Sequence, residues 1–486
     1  MSIQAAKEEL NSLTEFQRDI HVTTEATEEI ISSFHRVFIK STWHSSVPVK
    51  LKRFQDGEET VYAVSDSFHF LMHTYMRFTL PRVRVKPEYR GKVRICWCHN
   101  VGTNIVGTTS FKEDDETFHT WDSVWADYYY QFFQDGGAGK RKSHHIGIGN
   151  IECLENWSEF LPEYTINVDQ PWFYSMDTAL GFPILYKGSL TRAEHRYTLK
   201  LRVADLLRVQ VLGKDKEWKD CKRRRGMQYL DIIPDLEIAT PELWGKYAYI
   251  TEPEIKWHKE CGDLPRVLYT RDVEVCDTPN PSKYGEIAEI LLQSSTPCMA
   301  ILWAAENQDA KAINNHSNYT TDFQDLYAGW DPIKTTGLKY GTVTRLPPMG
   351  SDHFSLAEAR KHFPSSPSER GYHAYSYAND SSGFHGDVGI VLENMKAKLF
   401  CRIENNDLFL GREKEKIEEE ADGDEDSYES KSGRPEKKIS MFDDYSAVPD
   451  LESPDNSPSF ITRVRLLVMR KFEIKAENGL YKFTIE

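Results

Sequence analysis

The chain reads as all-β, in two halves of similar length, on three observations. Aromatic residues make up 12% of its 486 residues, and 22 prolines with 28 glycines divide it into many short apolar runs, a punctuation that favours strands over long helices. The length itself suits two or three domains with ample chain for a core. A junction lies at 241–258. Leu243, Trp244, Tyr247, Tyr249 and Ile250 are large, aromatic or β-branched, and Tyr247 and Tyr249 stand two apart, on one face of a strand. Thr251, Pro253 and Glu254 follow, an N-cap with a reciprocal acid and a proline in the first turn. One set of β signals therefore closes near Ile250, and a short helix bridges to the next set.

Residues 1–44 combine a polar helix with a Thr/Glu-rich connector. They read either as a loosely attached tail or as an arm that contacts a neighbouring subunit or an internal layer. Strand signals start near Ile39. The stretch 47–54 alternates, 68–80 is a long run ending at Pro81, and 93–97 alternates again. Trp121, Val124, Trp125, Tyr128, Tyr129 and Phe132 recur at helical spacing, predicting a helix over 121–133. Gln170-Pro-Trp-Phe-Tyr-Ser-Met-Asp reads as an aromatic strand and a polar turn, and 197–211 as one half-buried strand. Lys222-Arg-Arg-Arg225 reads as solvated loop, with a nuclear-import or polyanion patch as the alternative.

In the second half, 297–306 is a strand with Trp303 near its end, and Leu338-Lys-Tyr-Gly341 is a strand with a glycine turn. In 371–378, Tyr372, Ala374, Ser376 and Ala378 share one face, while His373, Tyr375 and Tyr377 share the other. The segment 412–459 is acidic, then rich in Ser, Pro and Asp, too poor in apolar residues to order itself. Strands resume at Phe460, and Asn478-Gly479 is a hairpin turn before the last one.

Several of these runs resemble, in order, the major capsid proteins of nucleocytoplasmic large DNA viruses. Leu243-Trp-Gly-Lys-Tyr-Ala-Tyr-Ile-Thr-Glu-Pro-Glu-Ile255 is similar to that family's joint between two jelly rolls, with Ile255 where the family has Arg. Tyr75-Met-Arg-Phe-Thr-Leu-Pro81, Asn100-Val-Gly-Thr, Gln170–Leu185 and Gly371-Tyr-His-Ala-Tyr-Ser-Tyr-Ala378 with Ser381-Ser-Gly383 also resemble the family's runs. Gly386-Asp-Val-Gly389 departs from the family's next segment. The resemblance extends over 45–486 apart from the acidic insertion.

It implies two tandem eight-stranded antiparallel jelly rolls, 45–255 and 262–486, with loop insertions and short helices. It also implies a structural capsid subunit that forms pseudo-hexameric homotrimers in an icosahedral shell. Its partners would be itself, neighbouring capsomers, minor capsid proteins and internal membrane-associated proteins. Its place would be the virion, assembled in the host cytoplasm. A minor capsid or scaffold protein of the same fold is the nearest alternative. A jelly-roll glycan-binding protein, stacking sugars on Trp172-Phe-Tyr174, is another.

The residues themselves carry little catalytic chemistry. The eight cysteines are scattered without CxxC, which is reduced-compartment usage, and Cys96 and Cys98 read as small buried thiols. Net charge is −15, but 413–429 alone contributes −8. The acidity is therefore local and says little about partners, but it argues against a whole-surface nucleic-acid binder, which would need a basic face. No apolar run approaches the ~18 residues that span a bilayer. Asp135-Gly-Gly-Ala-Gly-Lys-Arg141 lacks the spacing and the Ser/Thr of a phosphate loop. His69 and His73 share a strand face without the glutamate of a zinc helix, and His144-His145 is an isolated pair. Sequons stand at Asn156, Asn315, Asn318 and Asn379. The expectation is a non-enzyme with no catalytic, cofactor-binding or metal-ligating residues and no cofactor.

Overall fold

The computed structural model describes residues 44–113, 116–133, 156–176, 182–184, 193–213, 216, 218–220, 232–253, 255, 266–378, 389–404, 458–477 and 480–485. Residues 1–43 of the expected arm, the run Lys222–Arg225, the His144-His145 pair and the acidic insertion up to 457 lie outside the described residues.

Each half builds two antiparallel sheets, and the strand order repeats. The first sheet of the first half runs His44–Lys50, Glu242–Ile250, Phe70–Leu80, Tyr164–Asp169. Its counterpart runs Arg266–Val275, Phe460–Glu477, Cys298–Asn307, His373–Ser376. In the first the opening strand of the half lies beside the last; in the second it lies beside the long Phe460–Glu477, to which the final strand Leu480–Ile485 also pairs. The second sheets run Glu59–Ala63, Ala193–Leu199, Val106–Glu113, Glu116–Asp122 and Ile287–Leu292, Ala397–Ile403, Ile333–Tyr340, Val343–Gly350. Lys52–Asp56 adds an outer strand to the former. Eight strands in this order make a jelly roll, and the chain contains it twice. Val93–Trp97, Leu207–Leu212 and Trp218–Asp220 form a three-stranded sheet beside the first roll.

Local chemistry explains most strands. Ile287–Leu292 alternates strictly between exposed and buried residues, as a half-buried edge strand should. Gly341, at φ +56°, turns the hairpin between Ile333–Tyr340 and Val343–Gly350. At the junction, Phe68 lies against both Tyr247 and Tyr249. The Ile255 amide donates to the Thr251 carbonyl at 2.9 Å, so the chain turns helical after Thr251.

Four readings need correction. The 47–54 alternation is two strands, because buried Leu51 forms a corner where pairing passes from one sheet to the other. The 197–211 run is also two. Ala193–Leu199 belongs to the second sheet, a turn at Val203–Asp205 intervenes, and Leu207–Leu212 pairs with Val93–Trp97. The predicted helix starts at Ser123, since Trp121 still belongs to Glu116–Asp122 and Asp122 caps the helix by accepting from the Trp125 amide. Finally, the aromatic run at 170–176 is a helical turn, Phe173–Met176, not a strand. Ser175 Oγ donates back to the Gln170 and Trp172 carbonyls, which offers the backbone an alternative to a ladder. Trp172 and Tyr174 are then fully buried as a plug in the first core, with Phe111 and His195 packed on them.

The second roll has its own core around Ile301, Trp303, Leu338 and Leu466. Its first sheet is apolar on both sides. Cys298, Ile301, Trp303 and Ala305 face that core, while Ala300, Leu302 and Ala304 join the first roll's core. The predicted two faces of 371–378 divide the same way, Tyr372 and Ala374 toward the first roll, Tyr375 and Tyr377 toward the second.

Candidate assembly surfaces

The most elaborate polar site lies between the rolls, at the helix Ser123–Phe132. Arg465 projects from the second roll's strand Phe460–Glu477 and meets Asp122, its Nε 3.2 Å from Oδ1, and also Asp277. Arg463, two residues away on the same face, bonds Glu306 at 2.9 Å and Asp277 at 2.8 Å. The Arg465 side chain is only 1% exposed. Burial works against its charge, but Asp122 and Asp277 more than offset that and hold the guanidinium charged. Tyr128 stands over the pair, donating from its hydroxyl to the Arg463 carbonyl at 2.8 Å and packing on Tyr372.

One turn along the helix, Asp127 is buried. Asn100 Nδ2, Thr103 Oγ1 and Tyr319 OH donate to it at 3.0–3.1 Å, yet desolvation outweighs them and pushes the carboxyl up to about 6. Asp272 is likewise pushed up to about 6 by burial, against the opposing pull of Arg470. His119 lies 3.5 Å from Asp272 and is driven down to about 3 by burial and then by Arg470. It is therefore a neutral neighbour at pH 7.

Loop contacts tighten the joint. Asn104 Nδ2 donates to Ser317 Oγ, Asn314 Nδ2 to the Ala204 and Leu207 carbonyls, and Arg208 to the Gln324 carbonyl. His99 meets Glu369 at 3.1 Å.

Two sequons fall inside this region. Asn315 and Asn318 are buried and donate their Nδ2 groups to the Phe323 and Asp322 carbonyls, so neither offers a free amide for a glycan. Asn156 is exposed, and Asn379 lies outside the described residues. The candidate sugar platform Trp172-Phe173-Tyr174 is inside the core, where no saccharide can stack. Cys96 and Cys98 are buried thiols. His69 Nδ1 accepts from the Ile250 amide. Among the described residues no group of His, Cys, Asp and Glu could hold a metal ion.

The open surfaces are of another kind. On the outer face of the first roll's first sheet, Tyr75 and Trp244 stack in parallel, 6.3 Å apart, flanked by exposed Arg77 and Lys246. On the second roll, the strand Val343–Gly350 is largely exposed and runs into a helical segment, His353–Ala357 followed by Glu358–His362. Phe354 and Ala359 face inward, and Leu356, Ala357, Arg360 and Lys361 form an exposed stripe.

Sequence reading missed the joint. Its signal was available in Thr462-Arg-Val-Arg-Leu-Leu-Val468, two arginines on one face of an otherwise apolar strand, and in Asp127 within an aromatic helix.

A duplicated jelly roll is an architecture, and sequence families decide its use. The family described as "Major capsid protein N-terminus" matches residues 32–250, and that described as "Large eukaryotic DNA virus major capsid protein" matches 274–387. The chain belongs to the major capsid proteins of large DNA viruses.

Relatives agree. The major capsid protein of Lymphocystis disease virus 1 is 27% identical over 387 residues, 72% of this chain and 77% of that one. That of Invertebrate iridescent virus 6 is 26% identical over 384 residues, 71% and 77% of the two chains. Among solved structures, the PBCV-1 virus capsid matches with a TM-score of 0.62 at 9% identity, covering 91% of this chain and 97% of that one. The Faustovirus major capsid protein matches with 0.59 at 7%, covering 88% and 90%. Those likenesses speak for the double jelly-roll fold. As a capsid component, this family member is structural rather than catalytic, and its place is the virion.

Proposed function

We propose that the chain is the shell-forming subunit of an icosahedral capsid and assembles as a homotrimeric, pseudo-hexameric capsomer. The observation that carries this reading is the repeated strand order. Two like rolls per chain, taken three times about an axis, give six similar wedges, and such a tile packs into flat lattices. On this reading the rolls run over 45–255 and 262–486, residues 1–44 form an arm, and 412–459 is an insertion on a surface loop. Minor capsid proteins and internal membrane-associated proteins are its further partners, and the host cytoplasm is where it assembles.

The joint supports a rigid subunit, because a buried guanidinium bonded to carboxylates of both rolls favours one relative orientation of them. Size-exclusion chromatography with light scattering on the purified full chain at micromolar concentration tests the proposal. The expected mass is three times 56.2 kDa. A strict monomer would overturn the self-assembling tile and favour the minor or scaffold role.

A further inference from the structure

In both rolls the edge strand of the second sheet leads directly into a helix. Glu116–Asp122 enters Ser123–Phe132, and Val343–Gly350 enters the helical segment at 353–362. In the first roll this strand and helix receive the outer face of the second roll's first sheet. Asp122 takes Arg465, Tyr128 takes Tyr372, and Glu116–Asp122 packs on Arg266–Val275. Consequently almost every residue of that helix is buried or half-buried.

Among the described residues, the second roll's copy of this arrangement has no such cover. Val343 is 66% exposed and Leu356 58%, with Arg360 and Lys361 beside Leu356 on the stripe. The complementary surface is also unused. The first roll's first sheet, counterpart of the one that seals the joint, leaves Tyr75, Arg77, Trp244 and Lys246 on its outer face. One chain thus carries one unused helix-and-strand surface and one unused sheet face, the two halves of a contact it already makes internally.

We propose that in the capsomer the Tyr75–Trp244 face of one copy is covered by the Val343–Gly350 strand and the 353–362 helical segment of a second copy. The contact repeats between chains the geometry that joins the rolls within one. It is heterologous, and a heterologous contact closes a ring when its rotation closes, as the repeat of one joint around six like wedges requires. Pro347 and Pro348 block strand addition along Val343–Gly350, so the contact is a face against an edge and a helix. The joint within the chain has the same form. This inference rests on the trimer reading and adds the surfaces that make it.

The test uses the full chain with Leu356→Asp or Trp244→Asp, measured by light scattering after size exclusion. Leu356→Asp breaks one surface and Trp244→Asp the other. Each alone is expected to abolish the trimer, with far-UV circular dichroism unchanged. Mixed in equal amounts, the two variants retain one intact surface each and should form a one-to-one pair of twice 56.2 kDa. Should Trp244→Asp disturb folding, exposed Arg77→Glu on the same face replaces it. Trimers persisting in both variants would overturn the surface assignment and leave the trimer reading standing. A monomeric wild type would overturn both.

Discussion

Phe70–Leu80 and Cys298–Asn307 occupy the same slot in the strand order of their rolls, yet they are different kinds of strand. The first alternates, with Leu71, Met76, Phe78 and Leu80 in the core and Tyr75 and Arg77 outside. The second is buried on both faces from Cys298 to Ala305. The topology is shared, and what differs is the neighbour. The second roll's first sheet has the first roll on its outer side, and the first roll's sheet has open surface. A strand buried on both sides must be apolar throughout, and the polar residues that remain there must be paired. Arg463 and Arg465 meet that requirement beside Cys298–Asn307.

The sharpest way to break this comparison is Arg465→Ala. It takes the shared cation from Asp122 and Asp277, which are 24% and 19% exposed, and Asp277 keeps Arg463, so the loss is about 1–3 kcal/mol. Because the joint is between two rolls, urea unfolding of the full chain should lose its single transition and show two. One unchanged transition at the wild-type midpoint would show that the joint contributes little to the coupling of the rolls.

A second test sets the joint against the first roll's core by pH. Asp127 at the joint is pushed up from 3.8 to about 6 by burial. The folded chain therefore binds that proton more tightly than the unfolded chain, and stability rises as pH falls through 6, levelling below about 3.8. His195 in the first core goes the other way, driven from 6.5 down to about 3 by burial, and its contribution is lost as pH falls below 6.5. His119 and His316, pushed down to about 3 and about 4 by burial, act with it. Three histidines against Asp127 and Asp272 make the wild type lose stability between pH 6 and 4. Asp127→Asn removes one opposing group, so its loss should be steeper by about 1.4 kcal/mol per pH unit. Urea midpoints at pH 7, 6, 5 and 4 measure it. Parallel curves for variant and wild type would mean that Asp127 stays ionised on its hydrogen-bond donors.

What the sequence revealed follows the same division. Where a strand has one wetter face, alternation was readable, as from Tyr197 at the end of Ala193–Leu199. Where a segment is enclosed on all sides, periodicity vanished. Trp172, Phe173 and Tyr174 offered apolar bulk without a period, and the turn is closed by backbone amides and by the Ser175 hydroxyl bonding back to Gln170 and Trp172. Strand breaks at Leu51 and at Val203–Asp205 were invisible because the apolar pattern ran on through a change of sheet. The joint was hidden for a further reason. Asp122 and Arg465 are 343 residues apart, and no local pattern marks a partner at that distance. The family resemblance rested on turns and strand ends, which stay local, and it therefore gave the architecture without the contacts.

The smallest predicted effect completes the comparison. Lys398 and Glu289 pair across the second roll's outer sheet, with side chains 43% and 47% exposed. They are the same two charge types on neighbouring strands as Arg463 and Glu306, and the chemistry alone would rank the pairs alike. Water separates them. Both exposed groups are nearly as well solvated apart as together, and long side chains lose rotamer freedom on pairing, so the net worth is about 0–1 kcal/mol and screened by salt. Lys398→Ala should shift the urea midpoint hardly at all, and less still at 0.5 M NaCl. A loss of several kcal/mol would mean that this face is dry in the protein as it exists in solution, which is what a neighbouring copy seated on it would produce.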